Sequence, residues 1–140
     1  MKLTTTEVNG MIATLASKIL ASGVEYKQVV GIENGGLNVS IPLAKILNLP
    51  HTSVRISHYN GRSRRAWPFI SGDPPGTGNL VVDDLIDDGY TLRTYDDVFG
   101  LLGNAVAVLF WKAGSIPRPE YYVHEKPNSW VIFPWEIKCE

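Results

Sequence analysis

The sequence has a single cysteine, Cys139, in 140 residues, so a disulfide within the chain is impossible. This agrees with a reducing compartment. The first residues lack the basic head and apolar centre of a signal peptide, and no apolar run is long enough to span a bilayer. We therefore expect a cytoplasmic protein that makes no membrane contact.

Strong charge and the common catalytic clusters are also lacking. The net charge of −1 gives no general attraction to nucleic acid, and the one short basic cluster is only weak support for an RNA contact. The three histidines are far apart and show no metal-ligand spacing. No Ser/His/Asp or Cys/His arrangement indicates a covalent nucleophile. We expect neither a zinc enzyme nor a nucleic-acid-binding protein.

The composition that is present, 44% hydrophobic and 19% charged, is that of an ordinary globule. We expect a single domain over residues 1–140. Helices are predicted after a capping box at Thr4 and Glu7, from about 37 to 47 with Pro42 confined to the first turn, and up to about 102. Strands are predicted at 28–32, 51–57, 80–84, 105–111 and 121–124. These elements predict an α/β fold with a mostly parallel sheet of about five strands and helices on both faces.

The most informative segment is 80–91, which reads LVVDDLIDDGYT. A buried strand ends in two acids, and two further acids precede a Gly/Thr turn that opens a helix. Parallel strands deliver their last residues to a crevice where ligands bind. Carboxylates this close need cations or hydroxyls among them, and the turn offers amides to a phosphate. The segment therefore predicts a phosphate site beside a group of carboxylates.

This order of strand, acids and anion loop resembles the phosphoribosyl pyrophosphate (PRPP) motif of type I phosphoribosyltransferases. The tail is similar to the bacterial-type xanthine-guanine enzymes in particular, through a strand-end Lys112, a Pro-containing linker, a Trp130-Val131 pair and the run 134–136, Pro-Trp-Glu. The resemblance extends over residues 28–136. It implies that fold, with a small hood formed by the chain ends and a flexible arm.

The resemblance also implies the substrates, namely PRPP and a 6-oxopurine base such as guanine, xanthine or hypoxanthine, with pyrophosphate as a product. Asp83 and Asp84 would hold the ribose hydroxyls directly or through Mg²⁺, which prefers oxygen ligands. Asp87 would be the general base at purine N7. The 5′-phosphate would bind to the loop formed by Asp88, Gly89, Tyr90 and Thr91.

The remaining site residues come from other segments. Lys112 would donate to the 6-oxo group, Trp130 would stack on the base, and the Val131 backbone would read the 2-substituent. The pyrophosphate loop would be Asn34, Gly35 and Gly36, although such a strand–Gly-Gly–helix sequence is equally typical of a plain tight turn. A long polar segment near Asn60-Gly61 predicts a hairpin arm or, alternatively, a solvated basic loop. The resemblance implies that this arm closes over the site, with Tyr59, Arg62, Arg64 and Arg65 as its residues of interest.

Three residues depart from the pattern of the family. Asn34 stands where a basic residue is usual, Asp88 stands where Thr is usual, and Tyr90 stands where Gly is usual. A carboxylate beside a phosphate is unfavourable unless it points outward, and Tyr90 would be strained at positive φ. Two alternatives therefore stay open: a regulatory PRPP- or nucleotide-binding protein of the same fold, and a phosphoribosyltransferase for another base. Homodimers or homotetramers are usual in the family.

Overall fold

The computed structural model describes residues 1–60 and 63–136, and only the backbone at 58–60 and 63–67. Within these residues, the helices are α1 (Thr5–Ser22), α2 (Leu37–Leu47), α3 (Tyr90–Phe99) and a 3₁₀ turn (Pro134–Glu136). The strands are β1 (Gln28–Glu33), β2 (His51–Asn60), β3 (Ser63–Ser71), β4 (Asn79–Val82), β5 (Leu85–Ile86), β6 (Ala105–Trp111) and β7 (Tyr121–Glu125).

The described strands form one sheet in the order β3-β2-β1-β4-β6, with β5 and β7 both paired to β6. Every pair is parallel except β2–β3, which confirms the mostly parallel sheet. The expected number of about five strands is too low, since the described residues form a sheet of seven strands. The additional strands are β3, which is the return strand of the arm hairpin, and β5, which has only two residues.

The strand predicted over 80–84 is interrupted by two acids and then resumes as β5. Both β4 and β7 pair with Ala107, so they lie on opposite edges of β6. Both β5 and β7 pair with Phe110, so β5 lies on the same edge as β4. Asp83 and Asp84 therefore lie between two short strands along one edge of β6.

The apolar residues of the central strands alternate between the two faces of the sheet. Val29, Leu80 and Ala107 pack on one face together with side chains of α1 and α2. Val30 and Val81 pack on the other face together with side chains of α3. The prediction of helices on both faces is confirmed.

The beginning of α1 follows its prediction, whereas α2 departs from it. The Thr4 hydroxyl accepts from the Glu7 amide, and the Glu7 carboxylate accepts from the Thr4 amide, each at 3.1 Å. Pro42 lies in the second turn of α2, so its confinement to the first turn was wrong. The proline removes the helical donor to the carbonyl of Asn38, which is an exposed residue.

The end of α3 also differs from its prediction. The helix ends at Phe99 and is capped at Gly100, where the predicted helix continued to 102. The carboxylate of Asp96 accepts from the Leu101 amide at 2.8 Å, which turns the chain away. Leu102 was expected on the buried face and is 94% exposed.

The two ends of the described chain meet beside the sheet. Lys2 forms a parallel bridge with Ile132, and the Leu3 amide donates to the Ile132 carbonyl at 2.9 Å. The amino group of Met1 donates to the Trp130 carbonyl at 2.6 Å. This pairing brings together the segments from which the hood was predicted to form.

Candidate active site

Asp83 and Asp84 are fixed by the backbone bonds that continue the edge of β6. The Asp83 amide donates to the Ala107 carbonyl at 3.2 Å, and the Leu109 amide donates to the Asp84 carbonyl at 3.0 Å. The Asp84 amide also donates to the Asp83 carboxylate at 2.9 Å. Hydrogen bonds to β6 therefore fix the backbone of both acids between β4 and β5.

The two carboxylates lie in an environment that disfavours negative charge. Burial raises the pKa of Asp83 well above its usual value, and the neighbouring charge of Asp84 raises it further. Burial also raises the pKa of Asp84, although the hydrogen bond with the Asp83 side chain opposes this and the charge of Glu136 adds to it. A proton, a cation or ligand hydroxyl groups at this pair would relieve the repulsion.

Gly35 and Gly36 lie directly against these acids. A Cβ on Gly36 would lie 3.1 Å from the Asp83 carboxylate and 3.0 Å from the Val82 carbonyl oxygen, and it would collide with the Ile32 carbonyl oxygen. A Cβ on Gly35 would collide with the Asp84 carboxylate. Because only glycine fits this close approach, the predicted pyrophosphate loop and the acidic segment share one crevice.

Asn34 precedes this pair and is exposed, and its carbonyl accepts from the Leu37 amide at 3.2 Å. Trp135 lies beside the loop, since its indole nitrogen would be 3.5 Å from a Cβ on Gly35. That nitrogen is buried and has no hydrogen-bond partner among the described residues. A donor is therefore available beside the acids and the glycine loop.

Asp87 and Lys112 meet at the same edge of the sheet. The Lys112 ammonium lies 3.9 Å from the Asp87 carboxylate, and these side chains are 61% and 51% exposed. The Lys112 amide donates to the Ile86 carbonyl at 2.9 Å, and the Ser115 hydroxyl donates to the Asp87 carbonyl. Two residues 25 positions apart in sequence are thus held side by side in solvent-accessible positions.

The predicted phosphate loop turns at Gly89, whose φ is +81° and which is the N-cap of α3. A Cβ there would collide with the Ile116 carbonyl, so glycine is required both by conformation and by space. Tyr90 is the first residue of α3 and has helical geometry, so the expected strain at this position is absent. The Asp88 carboxylate accepts from the Tyr90 amide at 2.9 Å, so it points into the loop rather than outward.

The tail divides its two tryptophans between packing and exposure. Trp135 stacks on Phe133 with ring centres 4.6 Å apart and an interplanar angle of 6°. Trp130 is 72% exposed, and Val131 is buried. In the part of the chain that the structure describes, neither a hydrogen bond nor an ion pair joins Trp130 to Lys112 or Asp87, so the predicted base-stacking position stays a prediction.

The arm is described only in its backbone. Tyr59 pairs with Arg64 in the β2–β3 hairpin, as the Asn-Gly signal predicted. Arg62 lies outside the described residues, and so do the side chains of Tyr59, Arg64 and Arg65. Their predicted role toward a polyphosphate stays a prediction.

Sequence reasoning missed Arg93, whose guanidinium donates to the Asp88 carbonyl at 2.6 Å and to the Ile116 carbonyl at 3.2 Å. The available signal was a cation in the first turn of a helix, where the helix dipole disfavours it. Such a placement indicates a specific partner. Here the partner is the loop itself.

Within residues 1–60 and 63–136, no three acidic, histidine or cysteine side chains gather in a way that would by itself hold a metal ion. The described helices include none long and apolar enough to cross a bilayer. Any cation at Asp83 and Asp84 would therefore need further oxygen ligands from a substrate or from water.

Residues 4–140 match the family described as the phosphoribosyl transferase domain. The chain belongs to this family, which confirms the resemblance drawn from segment 80–91. The mostly parallel sheet with helices on both faces is therefore the phosphoribosyl transferase domain of this chain.

Solved structures with the same fold include phosphoribosyltransferases from three organisms. A purine phosphoribosyltransferase from Pyrococcus horikoshii is 28% identical, with a TM-score of 0.79 over 100% of this chain and 96% of that one. A xanthine-guanine-hypoxanthine phosphoribosyltransferase from Helicobacter pylori is 20% identical, with a TM-score of 0.80 over 97% and 93%. A hypoxanthine phosphoribosyltransferase from Trypanosoma cruzi, in complex with IMP, is 17% identical, with a TM-score of 0.68 over 88% and 74%.

Proposed function

We propose that this protein transfers phosphoribose from PRPP to a 6-oxopurine base, with release of pyrophosphate and a nucleoside 5′-monophosphate. The observation that carries the proposal is the meeting of three segments at one edge of the sheet. Gly35 and Gly36 lie against Asp83 and Asp84, and Lys112 lies against Asp87. Membership of the phosphoribosyl transferase domain family supports the class of reaction.

The acids and the glycine loop suit the two changes of charge in such a reaction. Departure of pyrophosphate from the anomeric carbon places positive charge on the ribose and negative charge on the leaving group. In the proposal Asp83 and Asp84 accept hydrogen bonds from the ribose hydroxyls, close to the developing positive charge. Gly35 and Gly36 let the backbone approach pyrophosphate, while Asn34 contributes no positive charge to hold it.

The acidic pair also fits Mg²⁺, because burial disfavours two negative charges here unless a cation or proton accompanies them. Mg²⁺ commonly takes one or two protein carboxylates and fills its other positions with substrate phosphates and water. Asp83 and Asp84 would hold the ion, which would supply positive charge to the pyrophosphate. Such a site needs no third protein ligand, in agreement with the absence of one among the described residues.

In the proposal, the Asp87–Lys112 pair selects the purine base. The distance between the two charged groups is long for an ion pair, and both side chains are exposed. Separating them to admit a base therefore costs little free energy. The N7 and O6 atoms lie on one edge of a 6-oxopurine, where Asp87 accepts the N7 proton and Lys112 donates to O6. Adenine has an amine in place of O6, so Lys112 would face a donor instead of an acceptor. The Helicobacter pylori and Trypanosoma cruzi enzymes, whose names specify 6-oxopurine bases, share the fold.

Turnover with a panel of bases tests the proposal. The protein is incubated with PRPP and Mg²⁺ together with guanine, xanthine, hypoxanthine, adenine, uracil or no base, and nucleotide formation is followed by chromatography. We expect nucleotide with at least one 6-oxopurine and none with adenine or uracil. Turnover only with another base would replace the proposed acceptor. No turnover with any base by the folded protein would overturn the enzymatic function.

The role of Asp87 has its own test. In Asp87→Ala we expect PRPP to bind as before and kcat to fall by about 10²–10⁴, the usual contribution of a general base. Asp97→Ala is the matched control, because it removes an exposed carboxylate from α3. Steady-state kinetics at saturating PRPP measure the effect. If kcat is unchanged in Asp87→Ala, Asp87 is not the base.

A regulatory protein of the same fold is the second candidate function. It is favoured by the Asp88 carboxylate, which occupies an amide of the phosphate loop, and by the neutral Asn34 in the pyrophosphate loop. The Asp87–Lys112 pair speaks against it, because a PRPP sensor has no need of a purine site. Calorimetric titration with PRPP, followed by each base, distinguishes the two: a sensor binds PRPP without turnover and gives no further heat with a purine.

A further inference from the structure

In the loop between β5 and α3, a carboxylate of the protein itself accepts a hydrogen bond from a backbone amide. The Asp88 carboxylate accepts from the Tyr90 amide at 2.9 Å. Amides at the beginning of a helix are the groups that bind phosphate in such loops. One of the amides assigned to the 5′-phosphate in the proposed function is therefore occupied by a side chain of the protein.

The backbone of this loop is held in place by the side chains of Arg93 and Ser115 and by its packing against Ile116. The guanidinium of Arg93 bonds to the carbonyls of Asp88 and Ile116 at 2.6 and 3.2 Å. Gly89 lies so close to the Ile116 carbonyl that a Cβ would not fit, and the Ser115 hydroxyl bonds to the Asp87 carbonyl. The Tyr90 amide therefore cannot turn to a second acceptor without breaking these contacts.

The Asp88 side chain has more freedom than its backbone. Asp88 is exposed, and rotation about its side-chain bonds would move the carboxylate into water with no movement of the loop. An anion at the loop must therefore displace this carboxylate from the Tyr90 amide or share the amide with it. In either case, the anion meets a like charge, which disfavours binding.

We propose that Asp88 is an affinity-determining residue that competes with the 5′-phosphate of the sugar for the amide of Tyr90. This inference rests on the proposed function, because that function places the phosphate at this loop. The competition weakens PRPP and the nucleotide product alike, since both carry the 5′-phosphate. It leaves ligands that bind only at the glycine loop unaffected.

The test uses two probes and three variants. Ribose 5-phosphate engages the loop at Asp88, and Mg²⁺-pyrophosphate engages the loop at Gly35. Asp88→Asn keeps an oxygen acceptor for the Tyr90 amide and removes the charge, whereas Asp88→Thr shortens the side chain and adds a hydroxyl donor. Asp97→Asn is the control, because it removes the same charge from the exposed surface of α3.

We expect isothermal titration to show ribose 5-phosphate binding about fivefold tighter or more in Asp88→Asn and Asp88→Thr than in the unmodified protein. Affinity for pyrophosphate should stay the same in both, and Asp97→Asn should change neither affinity. Ribose 5-phosphate affinity that is unchanged or weaker in both Asp88 variants would overturn the inference and leave Asp88 as a helix cap. So would an equal gain in Asp97→Asn, which would indicate general charge.

These outcomes are separate from those of the proposed function. Tighter ribose 5-phosphate binding in the Asp88 variants, with no turnover on any base, would support the inference and overturn the enzymatic function. Normal turnover, with no gain in affinity in either Asp88 variant, would support the enzyme and overturn the inference. Failure of all Asp88 variants to bind ribose 5-phosphate would also overturn the inference, whatever the turnover assay shows.

Discussion

Asp83 is the residue whose environment differs most from that of an ordinary surface acid. It is 9% exposed, and its immediate neighbour Asp84 has a carboxylate in the same crevice. Backbone hydrogen bonds to β6 hold the two residues side by side in this crevice. The protein without ligand therefore holds charge at a cost to its stability, in a place where a substrate or cation lowers that cost.

This predicts how stability depends on pH. The raised pKa of Asp83 means that the folded state binds more protons than the unfolded state, so the free energy of unfolding falls as pH rises from about 4 to the raised pKa. Asp83→Asn should remove much of this fall and increase the free energy of unfolding at pH 7. Urea denaturation from pH 4 to 8 without ligands measures both. Equal pH dependence in the variant and the unmodified protein would contradict the prediction.

Part of this site could be predicted from the sequence. The end of a buried strand placed Lys112 at the edge where Asp83 and Asp84 lie, and the family resemblance, not the strand pattern, set Lys112 beside Asp87. The inward direction of Asp88 could not be predicted, because the same side chain can cap a helix or face water. The hydrogen bond from the Arg93 guanidinium to the Ile116 carbonyl could not be predicted either, because Ile116 lies 23 residues away and is brought near only by the fold.

At the scale of the elements, the β1–α2 turn requires glycine for a steric reason. Gly36 has an ordinary φ of −61°, so it is required by space alone. A Cβ would press on the carbonyl oxygens of Ile32 and Val82 and on the Asp83 carboxylate, and two of these contacts are backbone atoms that cannot swing away. The turn thus packs against β4 at the point where the acids begin.

Gly36→Ala is therefore expected to lower the free energy of unfolding by about 1–3 kcal/mol and to reduce affinity for Mg²⁺-pyrophosphate. Gly10→Ala is the matched control, because an added Cβ on that residue of α1 meets nothing within 4 Å. That substitution should stabilise the protein by about 0.5–1 kcal/mol, as expected for glycine in the middle of a helix. Chemical denaturation and titration compare the two variants. Equal stability of both would mean that the turn relaxes freely.

Elements were predicted well where one apolar pattern extended over several residues, and poorly where two short signals met. The continuous run of β6 and the face of α1 were both recognised. The two residues of β5 are too few to show a period, and they form a strand only because β6 offers them partners. The early end of α3 depends on Gly100 and on the Asp96 side chain. The spacing of Leu102 fits the apolar face of the helix, and the prediction therefore extended the helix too far.

At the scale of the molecule, segments far apart in sequence meet because parallel strands share one edge. The turn after β1, the acids between β4 and β5, and Lys112 after β6 all come to that edge. The first residues pair with the segment around Ile132, which joins the two ends of the described chain beside it. Local patterns predicted this gathering through the fold class, whereas the contacts among its side chains required the three-dimensional structure.

If the gathered crevice is a binding site, its ligands should stabilise the whole fold. A ligand that binds only the folded state adds about 2.7 kcal/mol to the free energy of unfolding at a concentration of 100 times its Kd. We expect Mg²⁺ with pyrophosphate or PRPP to raise the melting temperature, and Mg²⁺ alone to raise it much less, because the acids supply too few ligands by themselves. In Asp83→Asn, the increase should be largely lost, although that variant is expected to be more stable without ligand. An equal increase in both proteins, measured by scanning calorimetry at pH 7.5, would mean that the ions bind elsewhere on the surface.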